Sequence, residues 1–591
     1  MAAETGSAIE DAPVGASAVR LIGGEMLTGS DPAASSTVDA TVLSLIGDAL
    51  PRAGRVLLAG PHDQGLVTAL TVRGLAVDLL LRRLPDAREE YRRAGEAGEG
   101  ADVRVFCGGL DRLTGDTYNA VLAFDGTDRL CGPDSPPLSR EALIRLLARL
   151  VAPAGLLALV VPNGLGVTRL AGLTKPADGV AGLRRVAEAL GDAGLRTGPA
   201  LAVYPGFVAH EALLADADDG LAALVAAACA AGYAERQVLS DPAELARDAV
   251  RHGLGVRLAP AWLVLAARGA EPPTAREGAL ETDRQTLPFW STPQLITRGS
   301  GGLRREPLDP RPRTLAHLRR DPAALKGPLP AGRTLEESLL TACAAEDLAE
   351  VRALVRRYLR WLRDGAVDGS WRAVWSDDAP GTGQLCPAVK MLSTLDTVLD
   401  ADGAPVPVDP SWVAELPVPA ELVLIHALQR FSYRLLAGGH AHPWPAGVSP
   451  DRLAVTLAAT AGVTVSPRDL AAATAFAVYL EGPLQDATGT GDAVRYARLR
   501  ERWAADPGRG AVAPRGYREA LATIGTLSAE LAEARAQIKW LDATIADRDT
   551  QLSAMGALRK SVTYRIGYLF TFPYHLLLRL LRRELRRWRQ G

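Results

Sequence analysis

One stretch constrains the fold more than any other. From residue 51 to 165, short apolar runs alternate with amphipathic segments of helical period. The first run, Arg55 to Ala59, ends at Gly60, and the loop Gly60-Pro61-His62-Asp63-Gln64-Gly65 leads into a helix-like segment from Leu66 to Arg73. Further apolar runs fall at 76–81, 103–107, 119–124 and 156–161. Strands that alternate with helices bury both sheet faces. They therefore predict an α/β fold: a Rossmann-like, doubly wound parallel sheet. The pattern continues through helix (178–193), strand (198–204), helices (218–232 and 241–253) and strand (261–267). This places the domain at 51–268, behind a 1–50 extension with a helix from Thr37 to Leu50.

Downstream the pattern changes. Residues 269–335 are rich in Pro, Arg and Gly and read as a linker or irregular lobe. Residues 336–500 are mostly helical, with a hairpin-like piece at 391–412. Residues 501–518 are again Pro/Gly-rich. A long helix over 519–557 carries Ile524, Leu527, Leu531, Ala534, Ile538, Leu541, Ile545, Arg548, Leu552 and Met555 at spacings of three and four. Such a stripe reads as a coiled coil and predicts self-association through 524–555. The alternative is a helix lying along the protein's own body.

The remainder, 561–591, holds Tyr564, Tyr568, Phe570, Phe572 and Tyr574 around Pro573. A Leu/Arg-rich segment follows, from Leu576 to Arg589. Aromatics suit a membrane interface and arginines suit anionic head groups, so this tail reads as an interfacial amphipathic anchor rather than a spanning helix. A basic helix on an acidic partner is the other reading. The net charge of -2 over 591 residues argues against a nucleic-acid binder. Five scattered cysteines, without a CxxC pair, predict reduced thiols in a cytoplasmic protein. No signal peptide is legible.

Residues 55–165 resemble class I S-adenosylmethionine (SAM)-dependent methyltransferases. "RVLLAG" matches the first strand and its turn, "YNAVLAFDGTDRL" (118–130) the fourth strand and its acidic segment. "LLARLVAPAGLLALVVPNGLG" (146–166) matches the helix, the Pro-Gly-Gly turn (here Pro153-Ala154-Gly155) and the fifth strand. The resemblance implies SAM as cofactor, held by Gly60, Asp63, Gly65, Cys107, Gly108 and Asp125, with His62 and Asp125 as candidate bases. The chain departs from the family where an acid for the ribose is expected: Leu81 stands there, followed by Arg82 and Arg83. Asp78, in mid-strand, points elsewhere. A loop histidine beside a proline also has a purely structural reading.

"MLSTLDTVLDADGAPVPVDPSW" and its sequel (391–430) resemble the catalytic and metal loops of small-molecule kinases with a protein-kinase-like fold. Asp409 stands at the metal position and Thr397 where an Asn is expected. Without a base or a phosphate loop this implies a degenerate kinase-like domain and argues against Mg-ATP. The other reading makes 400–403 a hairpin turn and Asp409 a turn cap. His440, His442 and Trp444 read as a packed turn. The order of parts is similar to membrane-associated enzymes of bacterial surface-polysaccharide biosynthesis. It implies a methyltransferase peripheral to the inner face of the cell membrane, acting on a glycan or lipid-linked saccharide. The alternative is an inactive scaffold of the same form.

Overall fold

A computed structural model describes residues 19–504, apart from short internal segments of which the longest are 24–28, 32–37, 97–101, 173–181, 234–239, 282–286, 372–380 and 486–491. Beyond residue 526 it describes 527–528, 530–542, a few positions to 552, and 562–588. The chain forms two compact units, Met1–Ala511 and Val512–Gly591.

The first unit is built on one sheet. Its strands are β1 (Arg20–Leu21), β2 (Arg55–Ala59), β3 (Ala76–Leu81), β4 (Val103–Cys107), β5 (Tyr118–Ala123), β6 (Val151–Pro162), β7 (Leu195–Thr197), β8 (Leu201–Tyr204), β9 (Phe207–His210), β10 (Ala261–Arg268), β11 (Ala279–Glu281), β12 (Gln294–Gly299) and β13 (Gly302–Pro307). Interleaved helices are α1 (Leu43–Ile46), α2 (Gln64–Val72), α3 (Leu84–Glu96), α4 (Arg140–Arg149), α5 (Val167–Leu170), α6 (Leu183–Asp192), α7 (Glu211–Ala215), α8 (Asp219–Tyr233) and α9 (Pro242–Arg251). Across the sheet the order is β1-β4-β3-β2-β5-β6-β10-β8-β9-β11-β12-β13. Pairing is parallel from β1 to β6 and antiparallel from β10 onward. The fold is thus the expected α/β type, a Rossmann-like doubly wound sheet. Its winding reverses between β2 and β5, the switch point outside which ligands bind in such sheets.

The strands form because both faces are covered. Val56, Leu58, Leu79 and Val105 point into one core, and Leu57, Ala59, Leu80 and Phe106 into the other. Beside Pro153, Ala154 takes a left-handed φ of 60° within β6, and the β5–β6 register shifts nearby. A side chain there is strained where a glycine would not be.

Three readings of the sequence need correction. The predicted helix from Thr37 to Leu50 contracts to a 3-10 turn (Ala40–Val42) and the single turn of α1. Of the stretch read as linker or irregular lobe, 269–335, the linker reading does not hold, because β11, β12 and β13 run into the main sheet as antiparallel strands. Their alternation is short and interrupted by Pro and Gly, so its partner became visible only in the fold. The first 511 residues also cluster as one compact unit, across the boundaries drawn at 268 and 335.

The rest of this unit is helical: α10 (Leu335–Ala344), α11 (Leu348–Arg363), α12 (Ala420–Ala437), α13 (Pro450–Thr460), α14 (Pro467–Gln485) and α15 (Asp492–Ala504). Val398–Ala401 and Ala404–Pro407 make the expected hairpin. In the second unit, described residues 530–542 and Val562–Trp588 are helical. Ile524 and Met555 of the apolar stripe lie outside the described residues. Among those described, no helix is long and apolar enough to cross a membrane.

Candidate functional site

The carboxyl ends of β2, β3, β4 and β5 meet at the switch point. Gly60 closes β2 with a φ of 87°, and its N–H donates to the Leu80 carbonyl at 2.9 Å. A Cβ placed on Gly60 would meet only the flexible tip of Leu130, 3.2 Å away. The turn thus needs the left-handed conformation that glycine takes without strain, and Leu130 packs beside it. Asp63 does not face a ligand from this loop: it caps α2, and its carboxylate accepts from the Gly65 N–H at 2.9 Å.

His62 is withdrawn. Its side chain is 5% exposed, its Nδ1 lies 3.1 Å from the Gly60 carbonyl oxygen, and its Nε2 lies 3.8 Å from the Glu90 carboxylate on α3. Burial works to raise the Glu90 carboxyl, but His62 and Arg93 beside it hold it below its ordinary value. The ring is thus held between loop and helix. A base acting from it must first leave this seat.

Asp125, after β5, is also engaged. Its side chain is nearly fully buried, and both oxygens accept from the Arg129 guanidinium four residues on. After β4, Cys107 is buried, and burial pushes its thiol up. Its carbonyl accepts from the Ile22 N–H at 2.9 Å, and Ile22 lies directly on Gly108, whose φ is 151°. The six residues expected to hold the cofactor therefore converge on the ends of neighbouring strands. All six, however, carry contacts to the protein itself.

What the sequence did not offer is the arrangement beyond β3. Arg82 and Arg83 stand at its end and together grip Asp31, a residue brought from the N-terminal segment. Arg82 donates to both carboxylate oxygens at 2.9 and 2.6 Å, Arg83 Nε lies 2.8 Å from Oδ1, and Arg83 also donates to the Gly29 carbonyl at 3.0 Å. The Asp31 N–H donates to Asp86 on α3 at 2.8 Å. The hydrogen bond to Asp31 raises the Arg82 guanidinium further, and Asp125 and Cys131 lie close enough to add to this. Burial alone would raise the Asp31 carboxyl, but the two guanidiniums hold it below its usual range. No local signal marks Asp31, because it is 51 residues from Arg82 in an Ala/Gly/Ser-rich segment.

The second predicted constellation is not a metal centre as it stands. Asp409 accepts from the Ser411 N–H at 2.8 Å and from Arg320 at 3.0 Å. The Gly403 N–H donates to Asp400 at 3.0 Å, so 400–403 is the hairpin turn and Asp409 the turn cap that the sequence also allowed. Thr397 bonds back to the Thr394 carbonyl. His440 lies 3.2 Å from Asp241, and His442 packs beside Trp444. Among the described residues no group of three or more His, Cys, Asp or Glu is placed to hold a metal ion.

No family model matches the chain. No curated protein matches it either. Among solved structures it is similar to a putative sarcosine dimethylglycine methyltransferase from Galdieria sulphuraria (15% identity, TM-score 0.25, 39% of this chain against 84% of that one). It is similar also to a geranyl diphosphate methyltransferase in complex with SAM (15%, 0.25, 39% against 83%). A third such structure is a cyclopropane synthase from Mycobacterium tuberculosis (14%, 0.25, 39% against 83%).

Proposed function

We propose that the crevice between β2 and β5 binds S-adenosylmethionine and that the chain is a methyltransferase working at a membrane surface on a glycan or lipid-linked saccharide. The observation that carries the cofactor is the left-handed turn at Gly60, at the switch point of a doubly wound sheet. Backbone at Gly60 would hold the nucleoside side, and Asp125 follows the neighbouring strand β5. Bound there, SAM supplies an electrophilic methyl group. The chain's own part is to orient an acceptor hydroxyl and accept its proton. Asp125 is the better placed of the two candidate bases, because His62 is held between Gly60 and Glu90. Before acting, Asp125 must exchange its contact with Arg129 for one to the acceptor.

Membrane association rests on the helix Val562–Trp588. Its described apolar side chains Tyr574, Leu576, Leu577, Leu580, Leu581 and Leu585 are exposed beside exposed Arg579, Arg582, Arg583 and Arg586.

One set of observations favours a second reading. Asp125 is bound by Arg129, Ile22 covers Gly108, and Leu130 lies over Gly60, as in a domain that kept its fold and became a scaffold. Calorimetric titration of the full chain with SAM separates the two. Micromolar binding is expected. No heat of binding at millimolar SAM, from protein shown to be folded, selects the scaffold.

A further inference from the structure

We infer that the helix carrying the heptad stripe pairs with a second copy of itself in antiparallel order, Leu541 of each copy packing on Ile538 of the other. This pairing does not depend on what the first unit binds.

The face that pairs is bare in the structure. Every described position from Leu527 to Leu552 is helical and exposed. Leu527, Leu531, Ile538, Leu541, Ile545 and Leu552 keep between 45% and 61% of their surface in water. Large apolar side chains in one line form a contiguous patch, and a spacing of three and four matches a helix of the same period.

The order of the two copies follows from the residues that interrupt the stripe, Ala534 and Arg548. In a parallel pair in register each layer joins identical residues. Arg548 would then meet Arg548, which sets two guanidiniums against each other, and Ala534 would meet Ala534, which leaves a void. A parallel pair shifted by one heptad avoids both, but each copy keeps an unmatched end, so further copies add without closure. An antiparallel pair centred between Ile538 and Leu541 avoids both and closes. Leu527 then lies on Leu552 of the second copy, Ala534 on Ile545 and Arg548 on Leu531. A small residue faces a large one, and an arginine lays its stem along a leucine with its head in water.

The flanking charges agree. Glu530, Arg535, Asp542 and Asp549 border the stripe, all exposed. In the antiparallel pair Arg535 of each copy faces Asp542 of the other, so the two-fold axis makes two ion pairs. In the parallel pair Arg535 faces Glu530, and Asp542 faces the uncharged Gln537. The antiparallel order also starts the two tails at opposite ends of a rod about 38 Å long from Leu527 to Leu552. Where both tails bind one bilayer, the rod lies along its surface.

The test is sedimentation equilibrium of the full chain at low salt, for the wild type, Arg535→Glu, Asp542→Arg and the double exchange. All four proteins keep their cores, because both positions are exposed. The wild type is expected to be a dimer. Each single exchange turns two attractions into two repulsions and is expected to weaken the dimer roughly tenfold. The double exchange restores the pairs with reversed sign and is expected to return to the wild-type affinity. A parallel dimer gives another pattern: Asp542→Arg leaves association unchanged, while Arg535→Glu and the double exchange are weakened alike. That pattern overturns the inference. So does a wild-type dimer that none of the exchanges alters, or a wild type that stays monomeric at every concentration reached.

Discussion

At the scale of single residues, the sheet is locked by charges that sequence patterning treats as exceptions. Asp78 sits in the middle of an otherwise apolar strand and is fully buried. Arg55 reaches it from β2 at 2.7 Å and Arg104 from β4 at 2.8 Å, so one carboxylate ties three parallel strands together. Removing one partner of a buried charge cluster typically costs about 3–5 kcal/mol, because the remaining charges stay desolvated. Here both guanidiniums keep about a quarter of their surface in water, which favours the lower end. Asp78→Ala is expected to lower unfolding free energy in urea by about 3 kcal/mol. A loss below about 1 kcal/mol would show that the arginines relax into solvent.

At the scale of elements, α9, α10 and α12 meet through a buried ionic cluster. Asp241 caps α9 by accepting from the Ala243 N–H at 2.8 Å, and it also accepts from Arg434 of α12 at 3.3 Å. Arg434 lies 2.6 Å from Glu336 of α10, and Arg251 of α9 pairs with Glu337 of α10. Burial pushes the Glu336 carboxyl up to about 7, against the pull of Arg434. A carboxyl raised on folding contributes stability that is fully present below its unfolded value near 4.5 and is lost as pH rises through about 7. Glu336→Gln removes that titration. The stability of the chain relative to this variant is therefore expected to fall between pH 5 and pH 8, by an amount on the order of 3 kcal/mol. Urea denaturation at a series of pH values reads the difference. A pH-independent gap would mean that Arg434 keeps Glu336 ionised throughout.

At the scale of the whole molecule, the second unit exposes two apolar faces. Leu527, Leu531, Ile538 and Leu541 of the heptad stripe are about half exposed or more, and so are the leucines from Leu576 to Leu585, apart from Leu578. A stripe with heptad spacing matches a second copy of the same helix, and a basic amphipathic face matches an anionic bilayer. Linking several anchors in one assembly raises membrane affinity by avidity. The chain is expected to sediment with anionic vesicles, to leave neutral ones, and to be released by high salt. The double variant Leu531→Glu/Ile538→Glu should sediment as a smaller species in ultracentrifugation and bind the same vesicles about a hundredfold more weakly. Unchanged vesicle binding by a dissociated variant would remove avidity from the account.

Local spacing was enough to determine the strands from β2 to β6, the helices that cross between them, and β8 and β10. Each is a run whose period and capping residues are complete within some ten positions, so its burial is decided before the chain folds. The hairpin at 398–407 was legible for the same reason: Asp400 and Gly403 make their turn between themselves. The fate of the crevice residues was not legible. His62, Asp63 and Asp125 look like ligands in the sequence, because a polar group beside a glycine turn has the same local signature whether it faces a cofactor or another residue. Glu90, the Gly65 amide and Arg129 claimed them only once the strands were side by side. The same holds for β11 to β13, whose partners lie on an edge that does not exist until β9 is in place. It holds most of all for Asp31, which meets the end of β3 through arginines 51 and 52 residues away. Period and capping are short-range properties of the chain, whereas the pairing of charges is fixed by which strand ends the sheet brings together.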